Sequence, residues 1–215
     1  MPDRYIYTAW IQKRKGALPF GRHTIPVMED YARKCGATLR VITKTKRRNP
    51  QHATLDMLCE MSTETAGARA LWVDLDIVIA PKARNVFDSP GLQSGMWVSL
   101  LHGSSWRKKE YVRYLRPRGH ISPYPYFSSC LMLFSAKHAQ GYVGSGADKI
   151  DYPPVGDQAI LNELARKSEV GWQYFPRDVI GPHSMARQCE FIHCGGKRKG
   201  VKIYQTCKKL GLLKA

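Results

Sequence analysis

No apolar run in this 215-residue sequence approaches the roughly 20 residues that a membrane-spanning helix needs. The first residues, from Met1 to Arg4, lack the apolar region of a secretory signal peptide, so we expect a cytoplasmic protein. Internal repeats and low-complexity segments are also absent, which argues against solenoid and fibrous architectures. The six cysteines follow no spacing typical of secreted disulfide scaffolds or common zinc sites, and we expect reduced thiols.

Acidic residues are scarce, since 17 Asp and Glu stand against 34 Lys and Arg, and the formal net charge is +17. A charge of this size attracts polyanions such as nucleic acid, an anionic membrane surface or a phosphate-rich small molecule. The basic residues are clustered, most densely between Arg107 and Arg118. Solvated loops that keep a protein soluble give the same pattern, so charge alone does not select a function.

The length and the 43% hydrophobic content are those of an ordinary globular protein, and we expect a single domain. Strands are predicted over residues 5–10, 38–43, 70–74, 95–101, 129–134, 172–175 and 191–193. Helices are predicted over residues 26–35, 53–61 and 204–212 and from residues 135 and 157 onward, with a long loop over 102–126. The β-α-β-α-β order of the first half predicts an α/β fold with a parallel sheet.

The segment from Ala70 to Val78 is an apolar run that is interrupted by two aspartates. Alternate side chains of an extended strand point to the same face, so Asp74 and Asp76 are expected to project together from the end of a buried strand. Neighbouring carboxylates repel, and one takes up a proton unless a cation keeps both ionised. We therefore predict a site for a hard divalent ion at this edge of the sheet, the alternative being two capping aspartates.

Three later segments follow the aspartate pair in order: Phe127-Ser-Ser-Cys-Leu-Met-Leu-Phe134, Gly156-Asp-Gln-Ala-Ile-Leu-Asn162 and Ile192-His-Cys-Gly-Gly-Lys197. With the aspartate segment they make the chain resemble the GT-A glycosyltransferases, particularly the glycogenin-like family that uses nucleotide-diphospho-sugars. The resemblance covers about residues 5–200. It implies one GT-A domain over 1–215, Rossmann-like, with a mixed, mostly parallel sheet between helices. Its nucleotide-binding half would extend to about residue 80, and its acceptor and sugar half over about 81–215.

The resemblance implies roles for residues at matching positions. Asp74, Asp76 and His193 would hold Mn²⁺ or Mg²⁺, which suits an oxygen and imidazole ligand set. Asp157 and Gln158 would be the catalytic pair that contacts the donor sugar near the reacting carbon. The other donor contacts would come from Thr8, Ala9 and Trp10 at the nucleobase, Asp74 at the ribose, Ser128 and Ser129 at the sugar, and Gly196 and Lys197 at the diphosphate.

The function implied is transfer of a sugar from a nucleotide-diphosphate donor, with uridine the expected base, to a glycan, lipid-linked or protein acceptor. The basic segment 107–118 is interpreted as a flap that closes over the diphosphate or grips an anionic or membrane-held acceptor. Peripheral contact with an anionic membrane is therefore expected, and nucleic acid is not an expected partner. Ser128 and Cys130 replace the Asn and Gly of the family, and a basic tail replaces the tryptophan that commonly follows the last segment.

Two other functions fit parts of the sequence. The segment from Asp74 to Val78 resembles the start of haloacid-dehalogenase-like phosphatases, in which Asp74 would be the nucleophile and Asp76 the acid/base. That motif usually opens the first strand, whereas a β-α-β-α unit precedes it here. A basic nucleic-acid-binding module would use Trp106, Tyr111 and Tyr114 among the arginines, but it leaves the acidic pair unexplained.

Overall fold

The computed structural model describes residues 3–11, 21–100, 127–149, 156–168, 170–196 and 198–213. The strands are β1 (Arg4–Ala9), β2 (Thr38–Ile42), β3 (Arg69–Val73), β4 (Ile77–Ile79), β5 (Met96–Leu100), β6 (Phe127–Ser135), β7 (Trp172–Tyr174), β8 (Ile180–Pro182) and β9 (Phe191–His193). The helices are α1 (Gly21–Cys35), α2 (Ala53–Met61), α3 (Ala136–Gly144), α4 (Asp157–Lys167) and α5 (Lys199–Lys209). Across these ranges, no helix combines the length and the apolar character needed to cross a membrane.

A six-stranded sheet with the order β2-β1-β3-β6-β5-β7 forms the centre of the molecule. Strand β1 is parallel to both β2 and β3, and β7 is parallel to β5. Strand β6 is antiparallel to its neighbours β3 and β5. The predicted fold class, a mixed and mostly parallel sheet flanked by helices, is confirmed.

The alternation of side chains along β1 and β3 explains why helices cover both faces of this sheet. Ile6 and Leu71 belong to the apolar cluster that includes Met28 of α1. Tyr7 and Trp72, the next residues along each strand, belong to the cluster on the other face with residues of α2. Successive residues of an extended chain point to opposite faces, so strands that are apolar throughout are buried on both sides.

A smaller sheet of β4, β9 and β8, which the sequence analysis did not predict as a unit, lies beside the first. Strand β4 is antiparallel to β9, and β9 is parallel to β8. Helix α5 covers this sheet, because Ile203 packs in one buried cluster with Val78 of β4 and Ile192 of β9. The link from β3 to β4 therefore joins the two sheets, and it contains both aspartates.

Two helices begin earlier than predicted. Helix α1 begins at Gly21, not at Pro26, and its first residue packs on Trp10, where an added Cβ would lie 2.8 Å from the indole Cε2. Helix α5 begins at Lys199, not at Tyr204, after Arg198 in the left-handed region with φ 59° and without a capping side chain. Both starts depend on tertiary packing and have no capping signal in the sequence. The predicted loop 102–126 and its flap 107–118 lie outside the described residues.

Candidate active site

The two aspartates lie in the turn between the two sheets. Strand β3 ends at Val73, and a hydrogen bond of 2.9 Å from Ile77 N to Asp74 O closes the turn that leads into β4. The expectation that both aspartates extend one strand was therefore wrong, because the chain is already turning at Leu75. A second hydrogen bond of 2.9 Å, from Cys194 N to Asp76 O, ties the turn to the end of β9. The turn, and not strand alternation, sets the positions of the two carboxylates.

Asp74 lies on the side of the large sheet and is held by uncharged groups. Trp72 Nε1 donates a hydrogen bond of 2.8 Å to Asp74 Oδ1, and Asp74 N donates one of 2.9 Å to Cys130 O on β6. Burial, together with the negative charges of Asp76 and Asp157, raises the pKa of Asp74 to about 7. Three carboxylates thus lie close enough to oppose one another's ionisation, and a cation among them would relieve that repulsion.

Asp76 lies on the side of the small sheet, and its side chain is only 5% exposed. The Lys199 ammonium forms an ion pair with Oδ2. Oδ1 is buried without a hydrogen-bond partner in the described part of the chain, and His193 Nε2 is 3.6 Å away from it. Burial by itself raises the pKa of Asp76, but the neighbouring His193 and Lys199 more than offset this and lower it to about 2. The Asp76 carboxylate is therefore ionised and has one oxygen available for a ligand.

The chain after His193 bends closely around the imidazole. An added Cβ at Gly195 would lie 2.5 Å from His193 Nε2, so only glycine fits beside the ring as it stands. Gly196 has φ +81°, in the left-handed region that glycine adopts without strain. Lys202 Nζ donates a hydrogen bond of 2.9 Å to Gly195 O and fastens this loop to α5. Lys197 lies outside the described residues.

Asp157 and Gln158 are buried at the beginning of α4. Gly156 caps this helix and Asp157 is its first residue, as the predicted start at residue 157 requires. Thr54 Oγ1 of α2 donates a hydrogen bond of 2.7 Å to Asp157 Oδ2. Gln158 Nε2 is buried and has no hydrogen-bond partner among the described residues. A buried amide without a partner is costly, so Gln158 is a candidate for contact with a ligand.

The residues expected to contact the nucleobase lie at the end of β1, the strand beside β3. Tyr7 is paired with Trp72, so Thr8 lies level with Val73 at the end of β3, and Ala9 and Trp10 lie beyond it. Within the described residues, Thr8 Oγ1 and Trp10 Nε1 are buried without hydrogen-bond partners. These two polar groups lie at the edge of the sheet where ligands of α/β proteins bind.

Ser128 and Ser129 are buried in β6, which runs antiparallel to β3 and therefore begins at the edge where β3 ends. Ser128 Oγ accepts a hydrogen bond of 3.5 Å from Cys130 N, and Cys130 O in turn accepts the hydrogen bond from Asp74 N. The short polar part of β6 thus supports the aspartate turn.

The structure brings Asp76, His193 and Asp157 close to Asp74. Sequence reasoning did not give a role to three further residues at the site, which are Lys199, Trp72 and Thr54. Lys199 and Lys197 belong to the same short basic run, but the resemblance selected only Lys197. Within the described ranges, no group of three or more His, Cys, Asp and Glu side chains is arranged to hold a metal ion. The ligand set Asp74, Asp76 and His193 therefore stays a prediction.

Comparison with known proteins gives a match in structure and not in sequence. No protein-family model and no curated protein sequence matches the chain. The crystal structure of a glycosyltransferase involved in the glycosylation of the major capsid of PBCV-1 matches with a TM-score of 0.59. The chain has a glycosyltransferase fold. The match covers 95% of this chain and 98% of the other at 9% sequence identity, so it concerns the whole fold and not individual site residues.

Proposed function

We propose that this protein is a metal-dependent glycosyltransferase that moves a sugar from a nucleotide-diphosphate donor, with uridine as the expected base, to a glycan, lipid-linked or protein acceptor. One observation carries the proposal. In a glycosyltransferase fold, the buried and ionised carboxylate of Asp76 presents towards His193 an oxygen that has no hydrogen-bond partner among the described residues, beside Asp74 and at the ligand-binding edge of the sheet.

The residue types around Asp76 are those that bind a hard divalent ion. Carboxylate oxygen and imidazole nitrogen are ligands of Mn²⁺, and Mg²⁺ is the alternative. Ions of this kind are commonly held by one or two carboxylates, with substrate phosphates and water as the remaining ligands. Asp76 and His193, with Asp74 as a further oxygen donor, would supply the protein part of such a site. When bound, the ion would stabilise the negative charge that develops on the departing nucleoside diphosphate.

Lys199 is the described residue best placed to act on the diphosphate. Its ammonium already reaches the Asp76 carboxylate from the first turn of α5, and its side chain is 44% exposed. The amino end of a helix carries partial positive charge and free N–H groups, which also favour phosphate at this place. Gly196 lets the backbone approach a ligand closely, because no side chain intervenes. The role of Lys197 by resemblance stays a prediction.

Asp157 and Gln158 would bind and orient the donor sugar. Both are buried polar groups at the beginning of α4, and the negative charge of Asp157 is close enough to help raise the pKa of Asp74. A carboxylate near the anomeric carbon would stabilise the positive charge that develops there as the bond to phosphate breaks. The amide of Gln158 and the indole N–H of Trp10, which have no partner in the part of the chain that the structure describes, would donate hydrogen bonds to the sugar and the nucleobase respectively. Positioning of this kind supplies a large part of the catalysis of group transfer.

The site supports the rival functions less well. A phosphatase would need Asp74 as its nucleophile, yet Asp74 Oδ1 accepts the hydrogen bond from Trp72 Nε1. The residues of the proposed nucleic-acid surface, Trp106 to Tyr114, lie outside the described residues, and that hypothesis stays a prediction. Contact with an anionic membrane also stays a prediction.

A screen of nucleoside diphosphates and their sugars by thermal shift, with and without Mn²⁺, tests the proposed function. We expect stabilisation by one nucleotide that requires the ion, since a ligand that binds only the folded state raises the melting temperature. Slow hydrolysis of the same nucleotide-sugar, followed as release of nucleoside diphosphate, should accompany it. If no nucleotide or nucleotide-sugar binds under either condition, or if generic phosphoesters are hydrolysed instead, the proposal fails.

A further inference from the structure

The hydroxyl group of Thr54 reaches the Asp157 carboxylate from a different helix. Thr54 is fully buried on α2, and its Oγ1 is 2.7 Å from Asp157 Oδ2 and 3.0 Å from Gln51 O. A hydroxyl group has one hydrogen, and an ionised carboxylate has none to give. Since hydrogen bonds to charged acceptors are the stronger ones, the Thr54 hydrogen is directed to Asp157 when that residue is ionised.

The opposite side of the first turns of α4 is fixed by Asn162. Asn162 Oδ1 accepts a hydrogen bond of 2.9 Å from Phe127 N, and Asn162 Nδ2 donates to Phe127 O at 2.9 Å and to Gln158 O at 2.8 Å. These bonds hold the helix backbone on β6, whereas the bond from Thr54 acts on the Asp157 side chain itself. The backbone and the side chain of the Asp157–Gln158 pair are therefore held from two different elements.

An oriented side chain is needed here because the neighbouring charges are unfavourable. Asp157 and Asp74 are both carboxylates, and each charge opposes the other. Repulsion favours any rotamer that moves Asp157 away from the site, and a single hydrogen bond to a charged group is enough to oppose that movement. In catalysis, small displacements of a positioned group cause large losses of rate.

We propose that Thr54 is a positioning residue for the sugar-transfer reaction: its hydroxyl holds the Asp157 carboxylate in the rotamer that meets the donor sugar. The inference rests on the proposed function, in which Asp157 contacts the sugar. Thr54 itself makes no contact with substrate in this scheme. Loss of the Thr54 hydroxyl is therefore expected to lower the turnover number, and to do so only in a protein that has Asp157.

Thr54→Val tests the role, because valine keeps the shape of threonine and removes the hydroxyl. We expect kcat for hydrolysis of UDP-glucose or UDP-galactose with Mn²⁺ to fall about tenfold or more, with the donor KM changed less than about threefold. Thr54→Ser keeps the hydroxyl and should restore kcat to within about threefold of the unsubstituted protein. Thr206→Val is the matched control, since Thr206 is a buried threonine whose hydroxyl is 3.5 Å from Cys194 Sγ, and it should leave kcat unchanged.

A double substitution separates positioning from general stability. In an Asp157→Asn background, Thr54→Val should cost no further activity, because the charged group that it orients is gone. A Thr54→Val protein with normal kcat, or a further equal loss in the Asp157→Asn background, would overturn the inference. If Thr54→Val does not fold, Thr54→Ala against Thr54→Ser gives the same comparison.

The same series distinguishes failure of the inference from failure of the proposed function. A protein whose Asp157→Asn form has a low but measurable turnover and whose Thr54→Val form is normal keeps its glycosyltransferase function and loses only the role of Thr54. Full activity of Asp157→Asn would remove the proposed role of Asp157 and the inference together. Absence of turnover with both UDP-sugars in the unsubstituted protein would overturn both as stated.

Discussion

The two sheets present different chemistry to the turn that joins them. On the side of the large sheet, Asp74 and Asp157 accept hydrogen bonds from the uncharged side chains of Trp72 and Thr54. On the side of the small sheet, Asp76 is paired with the Lys199 ammonium and lies near the His193 imidazole. The difference corresponds to the two parts of a nucleotide-sugar, since a sugar needs oriented hydrogen bonds and a diphosphate needs cations. The predictions below perturb one side and measure whether the other responds.

Loss of the Lys199 ammonium should have the largest effect. Lys199→Met leaves the buried Asp76 carboxylate without its ion pair, and we expect a loss of about 1 to 3 kcal/mol in the free energy of unfolding, since Lys199 is partly exposed. Turnover should fall about 100-fold, because a group that stabilises developing charge is removed. Lys209→Met, on the last turn of the same helix, should change neither quantity. A protein with Lys199→Met that keeps full turnover would contradict the role of the small sheet.

The glycine next to His193 and the glycine next to Trp10 give a matched pair of substitutions. Gly195→Ala places a Cβ against the His193 ring and should weaken Mn²⁺ binding about tenfold, since displaced ligand supports typically cost that much. Gly21→Ala presses on the Trp10 indole instead and should raise the donor KM about threefold without a change in Mn²⁺ affinity. Titration calorimetry with Mn²⁺ and initial rates against donor concentration separate the two effects. If Gly195→Ala and Gly21→Ala change Mn²⁺ affinity and donor KM equally, the proposed division of roles between the two sheets is contradicted.

The raised pKa of Asp74 predicts how stability depends on pH without metal. The folded chain favours the protonated form of Asp74. The stability that this preference contributes is complete below pH 3.8 and is lost as the pH rises to about 7. Asp74→Asn cannot ionise, and it should therefore lose less stability than the unsubstituted protein between pH 5 and pH 8, by about 1 to 3 kcal/mol. Calorimetric unfolding at the two pH values measures the difference. If stability depends on pH equally in both proteins, the surroundings of Asp74 do not raise its pKa.

The smallest effect is expected at Lys202. Its ammonium donates to Gly195 O at 2.9 Å but forms no ion pair with the three carboxylates within the described residues. Lys202→Met should lower the free energy of unfolding by less than about 1 kcal/mol and turnover by less than about threefold. Rates and thermal unfolding measured beside Lys199→Met check this. If Lys202→Met lowers turnover and stability as much as Lys199→Met does, the effect of charge comes from the whole amino end of α5 and not from one ion pair.

The strands of the large sheet were predictable from the sequence, and the small sheet was not predicted as a unit. Strands β1 to β3 alternate with helices that have clear patterns, and α2 was predicted with its observed bounds at Ala53 and Met61. Strands β4 and β8 were not predicted, because three residues are too few for a periodicity to be recognised. Strand β9 was predicted over residues 191–193, but its pairing was not. Their pairing depends on contacts between residues far apart in the sequence.

The site was predictable in its residue types but not in its pairings. Asp74, Asp76, Asp157 and His193 were identified from resemblance and strand position, and they do lie together. The partner of Asp76 was missed because three basic residues follow one another at 197–199, and the sequence alone does not distinguish Lys199 from the other two. Thr54 was missed because a buried threonine in a helix has an ordinary pattern, and its partner is 103 positions away.

Calorimetric titration of UDP into the unsubstituted protein and into Asp76→Asn, each with and without Mn²⁺, tests the central claim most directly. The claim is that the Asp76 carboxylate holds a divalent ion that anchors the diphosphate. It predicts binding to the unsubstituted protein that strengthens at least about tenfold with Mn²⁺, and no such enhancement in Asp76→Asn. Asp88→Asn, which removes an ion pair with Arg4, should behave like the unsubstituted protein. Equal enhancement by Mn²⁺ in Asp76→Asn, or UDP binding that ignores the ion altogether, would contradict the account.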